Sequence, residues 1–124
     1  MTRTTYIGVS VATALFTLPA MSAALAGKAY DGQWSVLVIT ESGNCDRAYR
    51  YPVRISDGRV GHADPSSSFN ISGSVANSGA VKVSVSRGPQ RADGTGRLSG
   101  SSGGGKWKAA SGECSGQWTA EKRS

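Results

Sequence analysis

Short runs of alternating apolar and polar residues, separated by turn-forming Gly, Asn, Asp and Pro, make up most of this chain. In residues 49–55 (YRYPVRI) the tyrosines, the valine and the isoleucine occupy every second position, and arginines and a proline lie between them. Because a β-strand points successive side chains to opposite faces of its sheet, this period of two predicts half-buried strands. Beyond residue 27 the sequence has no apolar period of about 3.6 residues, which would indicate a helix. The pattern therefore predicts an all-β domain.

The alternating runs predict about eight short strands, at residues 32–40, 49–55, 59–62, 69–75, 81–86, 92–99, 106–109 and 114–120. Asp57-Gly58 predicts a type I′ hairpin turn, because both of its central positions need positive φ. Residues 99–105 (SGSSGGG) are expected to form a hairpin loop, and the last hairpin is expected to pair residues 106–109 with 114–120. Strands of this number, each with one apolar face, favour a small antiparallel up-and-down β-barrel, since closing the sheet removes its exposed edges.

One residue argues against full closure of the barrel. Pro52 has no N–H to donate to a ladder, so residues 49–55 are expected to form an edge strand or to carry a bulge. A partly open barrel or a small β-sandwich is therefore the alternative architecture.

The inward positions carry large apolar residues and several glycines. The large residues are expected to fill the barrel interior: Trp34, Tyr49, Tyr51, Val53, Ile55, Phe69, Ile71, Val81, Val83, Val85, Leu98, Trp107 and Trp118. Inward glycines are expected to let strands bend and to make room for the tryptophans, at Gly73, Gly94, Gly96 and Gly116.

The first 26 residues have the pattern of a secretory signal peptide. Arg3 precedes an uncharged stretch at residues 6–18, and Ala24-Leu25-Ala26 supplies small residues for cleavage. The stretch is shorter than the roughly 20 apolar residues of a membrane-spanning helix. We therefore expect a signal peptide at residues 1–26 and a single exported domain at residues 27–124, periplasmic or secreted and without a transmembrane segment.

Two cysteines, Cys45 and Cys114, are most simply explained as one disulfide in an exported chain. Two free thiols or half of a metal site are the other interpretations. A metal site needs more ligands than two cysteines and the single His62 can supply, so no metal or other cofactor is expected.

Four short motifs resemble those of small exported, disulfide-containing, β-rich proteins of Gram-negative bacteria, most of them without an assigned function. They are D-G-x-W-S-V from Asp31, C-x-x-x-Y-x-Y-x-V from Cys45, G-x-G-x-L from Gly94 and C-x-G-x-W from Cys114. The resemblance covers nearly the whole exported part and implies a fold and a compartment, but no active site. The Gly-x-Trp start and the inward tryptophans are also similar to avidin-like barrels in architecture only, because the polar positions of a biotin site are not found.

The sequence predicts no catalytic residues. His62 and Asp64 lie near the serines at 66–68, but a Ser-His-Asp triad is defined by three-dimensional geometry, and the sequence has no nucleophile elbow. No pair of carboxylates is marked out for glycoside hydrolysis. The glycine-rich segments lack the Lys-Ser/Thr ending of a phosphate-binding loop. We therefore expect a protein that is not an enzyme.

Outward basic residues form two predicted groups, and the residues after the predicted cleavage site carry a net charge of +5. The first group is Arg50, Arg54 and Arg59, and the second is Arg97, Lys106 and Lys108. Such groups can bind anionic envelope polymers or lipid head groups, or they can simply solvate the exterior. Intracellular nucleic acid is not expected as a partner, because the aromatic residues point inward.

Two further sites of interaction follow from the pattern. Tyr49 and Tyr51 are candidates for an aromatic mouth of the barrel, with their polar tips exposed. The alternative function is a structural or inhibitory protein that docks on another protein.

We predict that export removes residues 1–26. The intact mass of the exported protein measures this directly and should match a chain that begins at Gly27. A mass that includes Met1 or the apolar stretch would contradict both the export prediction and the compartment on which the disulfide prediction depends.

Overall fold

A computed structural model describes residues 28–124, which form eight β-strands and no helix. The predicted signal peptide lies outside the described residues. The strands are β1 (Gly32–Ser42), β2 (Ala48–Ser56), β3 (Arg59–His62), β4 (Asn70–Val75), β5 (Ala80–Arg87), β6 (Gln90–Ser99), β7 (Ser102–Ala109) and β8 (Ser115–Lys122). Within this part of the chain no helix is present that could cross a membrane.

The strands form a closed antiparallel barrel in which each strand pairs with the next and β8 pairs with β1. Trp34, for example, is opposite Val53 of β2 and Lys122 of β8. This confirms the predicted all-β, up-and-down barrel. The partly open barrel and the β-sandwich are therefore excluded as alternatives.

The weakest seam of the barrel lies between β3 and β4, which share only the bridge between Arg59 and Ser74. Pro52 lies beside this seam, in the middle of β2. Its carbonyl accepts a hydrogen bond from the Ala63 N–H (2.9 Å), just where the β2–β3 ladder ends at Val53. The expectation that residues 49–55 form an edge strand is therefore wrong, because β2 pairs with β1 along its length. The barrel tolerates the proline because β3 is short and accepts hydrogen bonds from few backbone N–H groups of β2.

The predicted type I′ turn is present, with φ of 53° at Asp57 and 76° at Gly58. The carboxylate of Asp31 accepts hydrogen bonds from both backbone N–H groups, at 2.7 Å and 3.1 Å. These two bonds lower the pKa of Asp31 below its ordinary value. The carboxylate therefore ties the start of the described chain to the β2–β3 turn.

The predicted loop at residues 99–105 is wrong, because β7 already begins at Ser102 and the turn is confined to Gly100 and Ser101. Three consecutive glycines at 103–105 are part of β7. A Cβ atom on Gly105 would collide with the Thr95 carbonyl, and one on Gly103 would lie 2.5 Å from a Leu98 methyl. These glycines are strand residues that allow β6 and β7 to approach closely. A glycine-rich composition is equally typical of a flexible loop, so composition alone does not distinguish the two.

Two inward tryptophans pack beside glycines of the neighbouring strands. Trp118 of β8 is opposite Gly105 of β7, and its indole N–H donates to the Thr95 carbonyl of β6 at 3.2 Å. A Cβ on Gly96 would lie 2.6 Å from the Trp118 ring. Trp107 of β7 is opposite Gly116 of β8, and its N–H donates to the Ile39 carbonyl of β1 at 2.9 Å.

The large inward residues fill only one half of the barrel, the half near the chain ends. Trp34 and Val75 are each 2% exposed there, and the Trp34 N–H donates to the Tyr30 carbonyl at 2.8 Å. An apolar void of about 60 Å³ remains inside this half. The expectation of a filled interior is therefore wrong for the other half, where the inward side chains are smaller.

The cysteines Cys45 and Cys114 form the predicted disulfide. It joins the β1–β2 loop to the β7–β8 loop, at the end of the barrel away from the chain ends. No free cysteine is left, and residues 28–124 contain no cluster of three metal-ligating side chains.

Replacing both Cys45 and Cys114 by Ser should leave the barrel folded but less stable. The disulfide closes a loop with a sequence separation of 69, and the chain-entropy model assigns about 4 kcal/mol to a loop of that length. Chemical denaturation followed by circular dichroism should show a loss of about 2–4 kcal/mol. Free thiols that titrate in the native protein would show that the pairing is wrong.

The substitution Gly96→Ala should destabilise the barrel by about 1–3 kcal/mol, because the added methyl would collide with the Gly104 carbonyl of β7 and with the Trp118 ring. Gly61→Ala is the matched control, since nothing lies within 4 Å of its Cβ position. The control should be neutral or slightly stabilising in the same unfolding assay. Equal effects of the two substitutions would contradict the proposed packing of Trp118 on glycine.

Candidate functional site: a cup at one end of the barrel

The barrel opens into a cup at the end where the disulfide lies. Besides aromatic residues, this end has several small inward residues, among them Thr40, Ala92, Gly94 and Ala109. They leave a cavity of about 630 Å³ that is open to solvent. This volume falls within the range of about 300–1,000 Å³ that is usual for small-molecule sites. The cup is therefore the candidate functional site.

One wall of the cup is a cluster of three aromatic rings, two from β2 and one from Phe69, the residue that precedes β4. Tyr49 and Tyr51 meet edge to face, with ring centroids 4.6 Å apart. Phe69 packs on both, at 5.5 Å from Tyr49 and 5.3 Å from Tyr51. These rings stand beside the part of β2 that has no β3 partner, so side chains fill a gap that backbone hydrogen bonds leave open.

The two tyrosines predicted to form an aromatic mouth, Tyr49 and Tyr51, thus lie together at the cup. Tyr49 is 42% exposed, the one large hydrophobic residue of the described chain that is so accessible. Burial raises the pKa of Tyr51 above its ordinary value, and the neighbouring Tyr49 adds to the shift. The Tyr51 phenol is therefore neutral at physiological pH and can donate a hydrogen bond.

The floor of the cup is made by side chains that also border the small void below it: Tyr51, Val83, Val85 and Trp118. Trp107 lines the wall opposite the tyrosines. Because the indole N–H groups of Trp107 and Trp118 are already bonded to backbone carbonyls, the rings offer apolar surface to a ligand. Aromatic surface of this kind favours planar or apolar groups.

Arg87, at the end of β5, carries the positive charge nearest to the aromatic wall. Its guanidinium carbon lies 5.0 Å from the centre of the Phe69 ring, a cation–π contact. Among residues 28–124 it has no salt-bridge partner. Sequence analysis missed Arg87, although the alternation of Val81, Val83 and Val85 continues to it in the next inward position.

The rim of the cup is electrically polarised. Asp46 and Glu113 lie on the two loops that the disulfide joins, whereas Arg87 lies across the mouth. Asp93 is also near the rim, but it accepts hydrogen bonds from Ser84 (2.6 Å) and from Arg91 (3.0 Å). These partners lower the pKa of Asp93, so its negative charge is matched locally.

The candidate trio of His62, Asp64 and Ser66 is not arranged as a catalytic triad. The His62 Nδ1 accepts a hydrogen bond from the Asp64 backbone N–H at 3.0 Å. The Ser66 hydroxyl donates to the Asp64 carboxylate at 2.7 Å, and this bond lowers the pKa of Asp64. A triad needs the serine bonded to the histidine, so these contacts are those of a structural loop.

The predicted basic side chains are all exposed, but they lie on different parts of the exterior: Arg50, Arg54, Arg59, Arg97, Lys106 and Lys108. Arg50 donates to the Ser35 hydroxyl of β1 at 2.9 Å, away from β3. Arg97 donates to the Ser78 carbonyl at 3.0 Å. The register leaves Lys106 and Lys108 on β7, far from the Arg50 group.

A scan against protein-family models finds no match for this chain, and a search of curated proteins finds none either. What the cup can do is therefore argued from its geometry. A half-closed cavity with an aromatic wall, one cation without a salt-bridge partner and two carboxylates on its rim can hold a small organic molecule and orient its charged end.

Proposed function

We propose that this protein is an exported, non-enzymatic binding protein that takes a small organic anion into the cup. The observation that carries the proposal is a cavity of about 630 Å³ with five aromatic side chains around it, at the open end of an otherwise packed barrel. The planar or apolar body of the ligand stacks within the cup. Its anionic group lies at Arg87.

Export is part of the proposal. The Cys45–Cys114 disulfide supports it, because such bonds form and persist in oxidising compartments such as the periplasm and the extracellular medium. The bond also fixes two of the loops that form the rim of the cup. A rigid rim lowers the entropy that binding would otherwise cost.

Arg87 sets the charge of the ligand, although the carboxylates of Asp46 and Glu113 also lie on the rim, across the mouth from it. Arg87 has no carboxylate partner among the described residues, so an incoming anion does not have to displace one. A hydrogen bond to a charged group contributes about 1.5–3 kcal/mol when desolvated, and less at an open mouth. We expect about 1 kcal/mol from Arg87, which corresponds to roughly five- to tenfold in affinity.

Naphthoate and its uncharged analogue naphthyl methanol are suitable probes for this site. Both have a planar apolar body, and only the first carries an anion. Trp107 and Trp118 line the cup, so an occupied cup should change the tryptophan fluorescence. We predict that naphthoate binds roughly five- to tenfold more tightly than naphthyl methanol.

The substitution Arg87→Gln should remove this preference for the anion, because it removes the unpaired cation. Arg54→Gln is the matched control, since Arg54 is exposed on the outer face of β2 and does not line the cup. The control should bind both probes as the unchanged protein does. If neither probe changes the fluorescence at millimolar concentration, or if Arg54→Gln has the same effect as Arg87→Gln, the cup is not the binding site.

A further inference from the structure

The positive charge of the described chain is concentrated on one side of the barrel. Residues 59–108, which contain β3 to β7, carry seven Lys and Arg side chains and two carboxylates, a net charge of +5. The other described residues carry six of each and are neutral overall. The arginines at positions 50 and 54, expected from the sequence to bind anions, lie in the neutral part. Six of the seven cations lie on β5 to β7, where Asp93 is the one carboxylate.

The register places three cations around one threonine on this face. Thr95, at an exposed position of β6, is directly opposite Lys82 of β5 and Lys106 of β7. Adjacent strands are about 4.8 Å apart, so the two lysines start from positions roughly 10 Å apart. Arg97 lies two residues further along β6, on the same outer face, about 7 Å from Thr95. Its hydrogen bond to the Ser78 carbonyl limits its movement.

Two acidic residues border this part of the exterior: Asp93 of β6, and Glu41 of β1, whose carboxylate accepts a hydrogen bond from the Gln117 amide at 2.8 Å. Asp93 lies two residues from Thr95 in the other direction, where Arg91 and Ser84 bind its carboxylate. Lys108 is directly opposite Asp93 in the register. The positive charges of Lys82, Arg97 and Lys106 consequently have no carboxylate partner in residues 28–124.

Between these cations the outer face carries small polar residues and glycine. Ser74 is opposite Lys82 on one side, Gly104 is opposite Arg97, and Gln117 is opposite Lys106. All of these except the partly exposed Gly104 are exposed. Such short side chains allow a chain molecule to approach the sheet closely and to exchange hydrogen bonds with hydroxyl and amide groups.

We propose that the outer face of β5 to β7, centred on Thr95, is a second binding surface that takes a linear anionic polysaccharide. Lys82, Arg97 and Lys106 contact its acidic groups, and the neighbouring hydroxyls of Ser74 and Thr95 contact its hydroxyl groups. This surface is on the outside of the barrel wall and is separate from the cup. Its function does not depend on a ligand in the cup.

Charge and shape favour a polysaccharide over the other anionic polymers. A membrane surface is bound through buried apolar area as well as charge, and this convex face has no exposed large apolar residue. Single-stranded nucleic acid is bound by stacking bases on aromatic rings. Here the rings line the cup, on the opposite side of the wall.

Polygalacturonate is a suitable probe, with binding measured by isothermal calorimetry at low and at moderate salt. The binding should weaken strongly as salt rises, because it depends on exposed charges. The triple variant Lys82→Gln, Arg97→Gln, Lys106→Gln should bind at least tenfold more weakly at low salt, and its affinity should depend less on salt.

The matched control is the triple variant Arg47→Gln, Arg50→Gln, Arg54→Gln, which loses the same charge from the neutral side of the barrel. Binding within twofold of the unchanged protein is expected for it. Equal losses in both variants would overturn the proposal, since only net charge would then matter. It would also be overturned if vesicles of phosphatidylglycerol bind and polygalacturonate does not. Naphthoate binding in the cup should be the same in both variants, which separates this test from that of the cup.

Discussion

The packing of two indole rings on glycine positions is the contact on which the closure of this barrel depends. An eight-stranded barrel has an interior just wide enough for side chains, so the Trp118 ring has room beside β6 because that strand carries glycine at the positions the ring covers. Trp118 meets Gly94 and Gly96 in this way, and its N–H is bonded to the carbonyl of the residue between them. A buried indole N–H without a partner would cost free energy, so the hydrogen bond and the glycines are needed together.

The same packing divides the interior into a filled half and an open half. Trp118 lies at the level where the division occurs, because it borders both the small void and the cup. Below it the inward positions carry Trp34, Ile55 and Leu98, which are buried. Above it they carry Ala92, Gly94 and Ala109, which cannot fill a barrel of this width. All the strands alternate inward and outward positions in the same way. The cup thus results from the level at which the inward positions change from large to small residues.

The alternation allowed the strands, their faces and the barrel to be predicted, since a period of two is a local property of each segment. The disulfide and the turn at Asp57 were equally predictable, because each follows from residue type. The strand conformation of the glycines at 103–105 could not be predicted, because it is evident only from the close approach of Thr95 and Leu98 of β6. Of the cup, only the aromatic mouth at Tyr49 and Tyr51 was predicted, and its depth was not. Its depth depends on which inward side chains meet at the same height, and that is set by the register between strands.

Strand β5 shows how one segment can serve both proposed surfaces without coupling them. Arg87 points to the inner side at the mouth, over Phe69, whereas Lys82 is at an outward position opposite Thr95. The separation of five residues spans about 17 Å along a strand, well beyond the screening length of about 8 Å at physiological ionic strength. The two charges therefore act on different ligands and interact weakly with each other. A barrel wall one strand thick can in this way present an apolar cup inside and a cationic face outside, and the period of two in the sequence is sufficient to encode both.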